Sequence, residues 1–393
     1  MEEKKMECAI YLTDECNFSC SYCYESNRKH KSFMNECAAK KSIDYIFSVA
    51  DKNEPVIITF LGGEPLLNKK VLHYSVDYIN KYYSSFKNNI IFKITTNASL
   101  MSEDDIVFFK NNNFLLSISI DGNEETHNKN RLSKNGESYY KKIMEYINIM
   151  IYEDVDFIVR MTVTGNNVEW LHENIRYFFN MGVKKVNLGI DNFHVWSEWE
   201  LREFRSQLND FSEYYINNIF DKEEKNFYLF DNKIGSFLEK RKAIYCNAGT
   251  KSHFIINSSG NIYPCSFVSN MDLWKIGTVD NGINKKSFID SLNKSLILNN
   301  KDNPYIEKCA KCKIAYFCNA KKCGFGNFVG TGKLNFPSGS VCSIQKIIYE
   351  LIYDIIKKLN KNKNSKLEEY INIGKSLGVN FSEDAGKILG DRI

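Results

Sequence analysis

Three cysteines crowd the segment CNFSCSYCYE, residues 16–25: Cys16, Cys20 and Cys23. Three thiolates are an odd set. Disulfides consume cysteines in twos, and structural zinc takes four ligands in a closed tetrahedron. The next histidine, His30, stands seven residues past Cys23 in a basic stretch, off zinc-finger spacing. Soft thiolates also select copper(I) and iron–sulfur clusters. A cubane [4Fe–4S] cluster is normally held by four cysteines. Three leave one iron without a protein ligand and open to substrate, by the logic of the open position at a catalytic zinc.

The other cysteines are placed as unevenly. Of twelve, Cys8, Cys16, Cys20, Cys23 and Cys37 fall in the first 37 residues, and Cys246, Cys265, Cys309, Cys312, Cys318, Cys323 and Cys342 fall from 246 to 342. None lies in the 208 residues between. In a reducing compartment such clusters read as metal or redox sites rather than disulfides. A zinc ribbon needs two close C-x₂-C pairs; the later region has one, Cys309 and Cys312. Cys8 and Cys37 read as plain buried side chains.

The elements that must position these thiols alternate in type. β-rich apolar runs occur at 8–12, 56–61, 90–94, 114–120, 156–163 and 185–190, with amphipathic helical stretches between them. Ser102-Glu103-Asp104-Asp105 has the form of a helix start, a capping serine followed by early acids. Six alternating units predict a parallel sheet with right-handed crossovers. A full eight-unit barrel needs ~250 residues. The fold class expected is therefore α/β, a partial six-unit (β/α) barrel of the TIM type. Its active site belongs at the carboxyl ends of the strands. The triad follows the first strand, Gly62-Gly63-Glu64-Pro65 the second, and Thr95-Thr96-Asn97 the third. Ser119 and Asp121 end the fourth, and Arg160 lies on the fifth.

From about residue 236 glycine, asparagine and cysteine rise and the alternation stops. FIINSSGNIYPC, residues 254–265, predicts a β-hairpin. Ile347, Ile348, Leu351, Ile352, Ile355 and Ile356 share one face of a late helix, which predicts packing on the body rather than on a membrane. Composition is ordinary for a globular chain, 43% hydrophobic and 25% charged. The net charge of +4 gives no ground for a nucleic-acid partner. No apolar run approaches the ~18 residues of a membrane span. MEEKKMECAI lacks the apolar core of a signal peptide, so a cytoplasmic location is expected.

Cys16-x₃-Cys20-x₂-Cys23, with Tyr22 before the third cysteine, resembles the signature of radical S-adenosylmethionine (SAM) enzymes. The resemblance implies a cluster whose open iron chelates SAM, with reductive cleavage to a 5′-deoxyadenosyl radical. It extends to Gly62, Gly63 and Glu64, similar to the loop that holds the SAM amino group. It further implies SAM contacts from Thr96, Asn97, Ser119 and Asp121, and from Arg160 to the SAM carboxylate.

The later cysteines resemble the seven-cysteine SPASM domain of peptide- and protein-modifying members, departing by one residue before Cys323. The resemblance implies two auxiliary [4Fe–4S] clusters, three clusters in all. Cys309, Cys312, Cys318 and Cys342 would hold the outer one, and Cys246, Cys265 and Cys323 the nearer one, again with an open iron. His253 is a further candidate ligand there, against an exposed ring near the hairpin. The expected organisation is a radical SAM core over 1–235, a small SPASM domain with a hairpin and helices over 236–350, and a helical tail over 351–393.

The expected activity is hydrogen abstraction from a ribosomally made precursor peptide, forming a thioether or similar crosslink at a cysteine. The partners implied are that peptide and a low-potential electron donor such as flavodoxin or ferredoxin. Many peptide maturases carry a leader-binding wing ahead of the triad; fifteen residues leave no room for one, so a separate leader-binding protein is a further expected partner. A rival reading is an anaerobic sulfatase maturase, which makes formylglycine. That family carries an aspartate base after the cysteine of the YPC stretch, where this chain has Ser266, and reads CFY where this chain reads CYE. A rival of another class is a non-catalytic multi-cluster electron carrier or sensor, which has no need of the Gly62–Glu64 loop.

Overall fold

The computed structural model of the chain describes residues 5–25, 31–240, 247–286, 288–289 and 309–393. Cys246 lies outside them. The residues gather into two compact units. The first takes in the chain to Ile120, Asn130–Ile158 and Asn247–Ile297; the second takes in Asp121–Lys129, Val159–Cys246 and Leu298–Ile393.

In the first unit, β1 (Met6–Tyr11) leads to α1 (Glu36–Val49), then β2 (Val56–Leu61), α2 (Lys69–Tyr82), β3 (Ile90–Thr96), α3 (Glu103–Asn111) and β4 (Leu115–Ser119). These four strands pair in parallel and in order. Burial on both faces suits near-continuous apolar strands, and Ile10, Ile58, Phe60 and Ile118 have no exposed surface. The start of α3 is a capping box, with Ser102 accepting from the Asp105 amide and Asp105 reaching back to the Ser102 amide. α4 (Glu124–Asn130) follows in sequence but belongs, to Lys129, to the second unit; α5 (Tyr140–Tyr152) returns to the first.

The second unit contains β5 (Phe157–Val163, from Val159 on), α6 (Leu171–Asn180), β6 (Lys185–Ile190), α7 (Glu198–Asn218), β7 (Asn226–Phe227) and α8 (Tyr228–Leu238). β6 lies between β5 and β7.

The hairpin appears as β8 (His253–Ile256) and β9 (Asn261–Tyr263), antiparallel around Gly260 at φ +78. It does not stand apart. β8 pairs in parallel with the outer edge of β1, from Glu7 opposite His253 to Ile10 opposite Ile256. β10 (Gly277–Thr278) and β11 (Gly282–Ile283) continue the sheet beyond β9. The edge of β1 that the preceding sequence leaves open is thus covered by the hairpin, which satisfies its backbone groups.

In the later part of the second unit come α9 (Asn319–Lys322), α10 (Gly324–Thr331), α11 (Gly339–Lys361), α12 (Ser365–Ser376) and α13 (Glu383–Leu389). The six-residue apolar face of α11 is buried against α7 and α8, as its spacing predicts. No described helix is long and apolar enough to cross a membrane. Cys8 is buried, and its thiol donates to the Ile57 carbonyl at 3.6 Å. Cys37 corrects the expectation for it: α1 turns Ala39, Ser42, Ile43, Ile46 and Phe47 inward, which leaves Cys37 exposed.

Candidate active site

The cluster loop begins where β1 ends. Thr13 is fully buried; its hydroxyl donates to the Ser32 carbonyl and accepts from the Glu15 amide, both at 3.0 Å. Cys16, Cys20 and Cys23 are each half-buried on the turn that follows. The Phe18 amide approaches the Cys16 Sγ at 3.4 Å, and the Cys23 amide bonds the Cys20 carbonyl at 3.1 Å. Burial, with Glu64 and the other two cysteines nearby, pushes the Cys16 thiol up to about 12, against the lowering by the Phe18 amide. The free thiol is therefore protonated, and metal loading must release its proton.

A second segment holds this loop from the other side. The Ser19 amide donates to the Leu132 carbonyl (2.9 Å), the Ser21 amide to the Asn130 carbonyl (3.0 Å) and the Lys134 amide to the Asn17 carbonyl (2.9 Å). Residues 130–134 thus run as a short ladder along the cysteine turn. The Arg131 guanidinium stands 5.1 Å from the Tyr22 ring centroid, a cation–π contact next to Cys23. No motif marks this clamp, because backbone pairing leaves no residue-type signature.

The Gly62–Glu64 loop packs directly on the cysteine turn. The Gly63 amide donates to the Thr13 carbonyl (3.1 Å) and the Glu64 amide to the Glu15 carbonyl (2.8 Å). A Cβ on Gly63 would stand 2.3 Å from the Glu15 oxygen and 2.7 Å from the Cys16 nitrogen. Glycine is needed here for close backbone approach. Gly63→Ala is expected to displace the triad turn and cost about 1–3 kcal/mol of stability by overpacking; thermal unfolding and the iron content of the purified protein check it.

Glu64 is 1% exposed. Its Oε1 accepts the Leu66 amide (3.0 Å) and the Thr96 hydroxyl (2.6 Å), and its Oε2 accepts the Asn97 amide (2.8 Å). Burial pushes its carboxyl up, opposed by those three donors and by Lys69. Beyond β3 the chain turns through Ala98 at φ +57, a left-handed conformation that alanine rarely takes. The Ala98 amide donates to Thr96 Oγ1 at 2.9 Å, which helps hold that turn. Asn97 then faces the cluster loop, its Nδ2 at 3.0 Å from Asn17 Oδ1 and 4.0 Å from Cys16 Sγ. Asn17, Ser99 and Asn97 close the ring, Asn17 donating to Ser99 at 2.8 Å and Ser99 to Asn97 at 2.6 Å.

The first unit therefore brings together Cys16, Cys20, Cys23, Gly62, Gly63, Glu64, Thr96 and Asn97, with Ser119 (8% exposed) at the end of β4. Three thiols on one turn, cradled by glycine and approached by an asparagine amide, fit a cubane with one open iron. Asp121 and Arg160 belong to the second unit. The Asp121 carboxylate accepts the Thr162 amide at 2.8 Å, and Arg160 is exposed in mid-strand on β5.

Cys265 also lies in the first unit, leading into a short 3₁₀ turn that starts at Ser266. Its hairpin is tied to the cluster loop through Asp14. Oδ2 of Asp14 accepts from Ser32 (2.8 Å) and Ser258 (2.5 Å), and Oδ1 accepts from Asn270 (2.8 Å). Tyr24 meets Phe267 edge-on at 5.0 Å. His253 is half-buried, with Nδ1 4.0 Å from a Glu7 carboxylate oxygen, and burial lowers its pKa. Cys309, Cys312, Cys318, Cys323 and Cys342 are all half-buried in the second unit. None of the described cysteines forms a disulfide.

A model of the radical SAM superfamily matches residues 10–208, just over half of the chain. The chain belongs to that superfamily and is a radical SAM enzyme, with the SAM and [4Fe–4S] cluster that define the family. It is 28% identical over 365 residues to a cysteine-type anaerobic sulfatase-maturating enzyme of Clostridium novyi (strain NT), covering 87% of this chain and 94% of that one. It shares its fold with the sulfatase-maturating enzyme anSMEcpe solved with bound AdoMet, at TM-score 0.73 and 20% identity over 90% of this chain and 99% of that one. A second fold match is Streptococcus suis SuiB bound to its precursor peptide SuiA, at TM-score 0.60 and 16% identity over 86% of this chain and 76% of that one. The expected α/β fold with its parallel sheet is the observed one.

Proposed function

We propose that the protein modifies a ribosomally made, cysteine-containing precursor peptide, forming a thioether or similar crosslink. When bound, the cluster at Cys16, Cys20 and Cys23 supplies reductive SAM cleavage and the 5′-deoxyadenosyl radical. The residues of the chain do the positioning. Residues 130–134 and the Gly62–Glu64 loop hold the cysteine turn from two sides, and Asn97 and Ser119 border it for SAM. Asp121 and Arg160 complete the SAM contacts in this reading.

The observation that carries the reading is the Asp14 node, which ties the hairpin bearing Cys265 to the loop entering the triad. An auxiliary cluster ligand then belongs to the same compact unit as the SAM-binding cysteines. Cys246, Cys265 and Cys323 would hold the nearer auxiliary cluster, and Cys309, Cys312, Cys318 and Cys342 the outer one. The functional division proposed is 1–235, 236–350 and 351–393. A precursor peptide partner agrees with the peptide complex solved for SuiB. A low-potential flavodoxin or ferredoxin would supply electrons.

Sulfatase maturation is the second reading, favoured by the near-full-length relative of that activity. Ser266 weighs against it, because a serine hydroxyl does not accept a proton near neutral pH. Anaerobic reaction with SAM, a strong reductant and each candidate peptide separates the two by mass. A crosslink removes two hydrogens and keeps the sulfur, whereas formylglycine removes two hydrogens and also replaces the sulfur by oxygen. No change on any cysteine-containing peptide, with SAM cleaved normally, would sink both.

Two measurements test the clusters. Iron analysis is expected to give about twelve irons per chain and no zinc. Alanine at Cys246, Cys265 or Cys323 is expected to spare 5′-deoxyadenosine formation but block product, read in one reaction by quantifying nucleoside and modified peptide.

A further inference from the structure

Lys233 on α8 is 3% exposed, and no SAM contact or cluster ligand explains a buried lysine there. Its Nζ donates to the Phe317 carbonyl at 2.9 Å and to Gln345 Oε1 at 3.1 Å. It also stands 4.1 Å from the centroid of the Phe317 ring. Phe317 precedes Cys318, and Gln345 lies one helical turn beyond Cys342 on α11. The Asn319 amide, following Cys318, donates to the same Gln345 oxygen at 3.1 Å. One buried ammonium thus joins the carbonyl that precedes Cys318 to a side chain one helical turn past Cys342. Cys318 and Cys342 belong to the set Cys309, Cys312, Cys318 and Cys342, which the reading above gives to one four-thiolate cluster and which is half-buried in the second unit.

Four thiolates make such a cluster anionic, and one-electron reduction adds another negative charge. A fixed cation in a low-dielectric surround favours the reduced form, since potentials follow charge, hydrogen bonding and burial. We propose that Lys233 is a positioning residue that braces the Cys318 and Cys342 segments and raises the reduction potential of their cluster. This rests on the auxiliary-cluster reading above.

The test is a potentiometric titration followed by electron paramagnetic resonance, on the anaerobically reconstituted full chain. Lys233→Gln is expected to lower the midpoint of one cluster by about 59 mV, tenfold in a one-electron reduction equilibrium, with iron content unchanged. Lys233→Arg keeps the charge and is expected to match the parent. Gln345→Glu leaves the lysine in place but sets a carboxylate against it, and is expected to lower the same midpoint. It decides the matter alone if Lys233→Gln does not fold. Unmoved midpoints in Lys233→Gln and Gln345→Glu overturn the proposal while leaving the cluster assignment intact. Full iron retention in Cys342→Ala overturns the assignment, and this inference with it.

Discussion

Alanine at any one of Cys16, Cys20 or Cys23 is expected to bring 5′-deoxyadenosine and methionine formation down to the no-enzyme level. The three thiols are the protein's entire hold on the SAM-binding cluster in this reading, and two ligands leave two irons bare. Each side chain is small and half-buried on a turn rather than in the core, so truncation is expected to change folding stability by less than about 1 kcal/mol. Loss of activity therefore comes without loss of fold. Chromatography of the reaction, with thermal unfolding of the same samples, checks both halves. Cys37→Ala, on the exposed face of α1, is the matched control and is expected to retain full cleavage. A triad variant that still cleaves SAM would end the assignment.

The largest effect on stability is expected from Glu64→Ala. The carboxylate is the shared acceptor for the Leu66 amide, the Asn97 amide and the Thr96 hydroxyl. The hydroxyl can rotate to another acceptor, but the two amides are fixed by the backbone. A buried donor left unsatisfied costs about 1–3 kcal/mol. Two of them cost about 2–6 kcal/mol, a large part of the roughly 5–15 kcal/mol that holds a domain folded. Glu64→Gln keeps one acceptor oxygen but turns an amide group toward a donor, so its loss should be smaller. Thermal and denaturant unfolding of the apoprotein measure the difference. SAM binding is expected to weaken in both variants, because the freed 96–99 turn carries Asn97, which faces the cluster loop. An alanine variant that unfolds with the parent would show that Glu64 serves SAM without clamping the loop.

Glu64 shows how far residue types can be read. Its place after a β-strand in a Gly-Gly-Glu run marks it for the SAM site by resemblance, and a capping role is an ordinary alternative for a carboxylate at a helix start. The structure shows the capping bond to Leu66 and adds two donors, Thr96 at the end of β3 and Asn97 just after it, 32 and 33 residues away. Gly63 is similar. The motif identifies the glycine, but the reason for it is the carbonyl of Glu15, brought within 2.3 Å of a would-be Cβ by the pairing of β1 with β2.

The sequence by itself determined the ligand chemistry and the order of elements. Thiol number and spacing are local quantities, and so are the alternation of strand and helix, the capping box at Ser102 and the apolar face of α11. Tertiary structure alone decided what stands against what: residues 130–134 along the cysteine turn, β8 on the free edge of β1, Asp14 on Ser258 and Asn270, and Lys233 on the Phe317 carbonyl. These contacts join residues 84 to 256 positions apart, and the 130–134 clamp is made of backbone groups common to every residue. Hydrogen bonds between distant or generic groups leave no periodicity along a chain. They are fixed when strand pairing brings the groups together and burial makes leaving them unpaired costly.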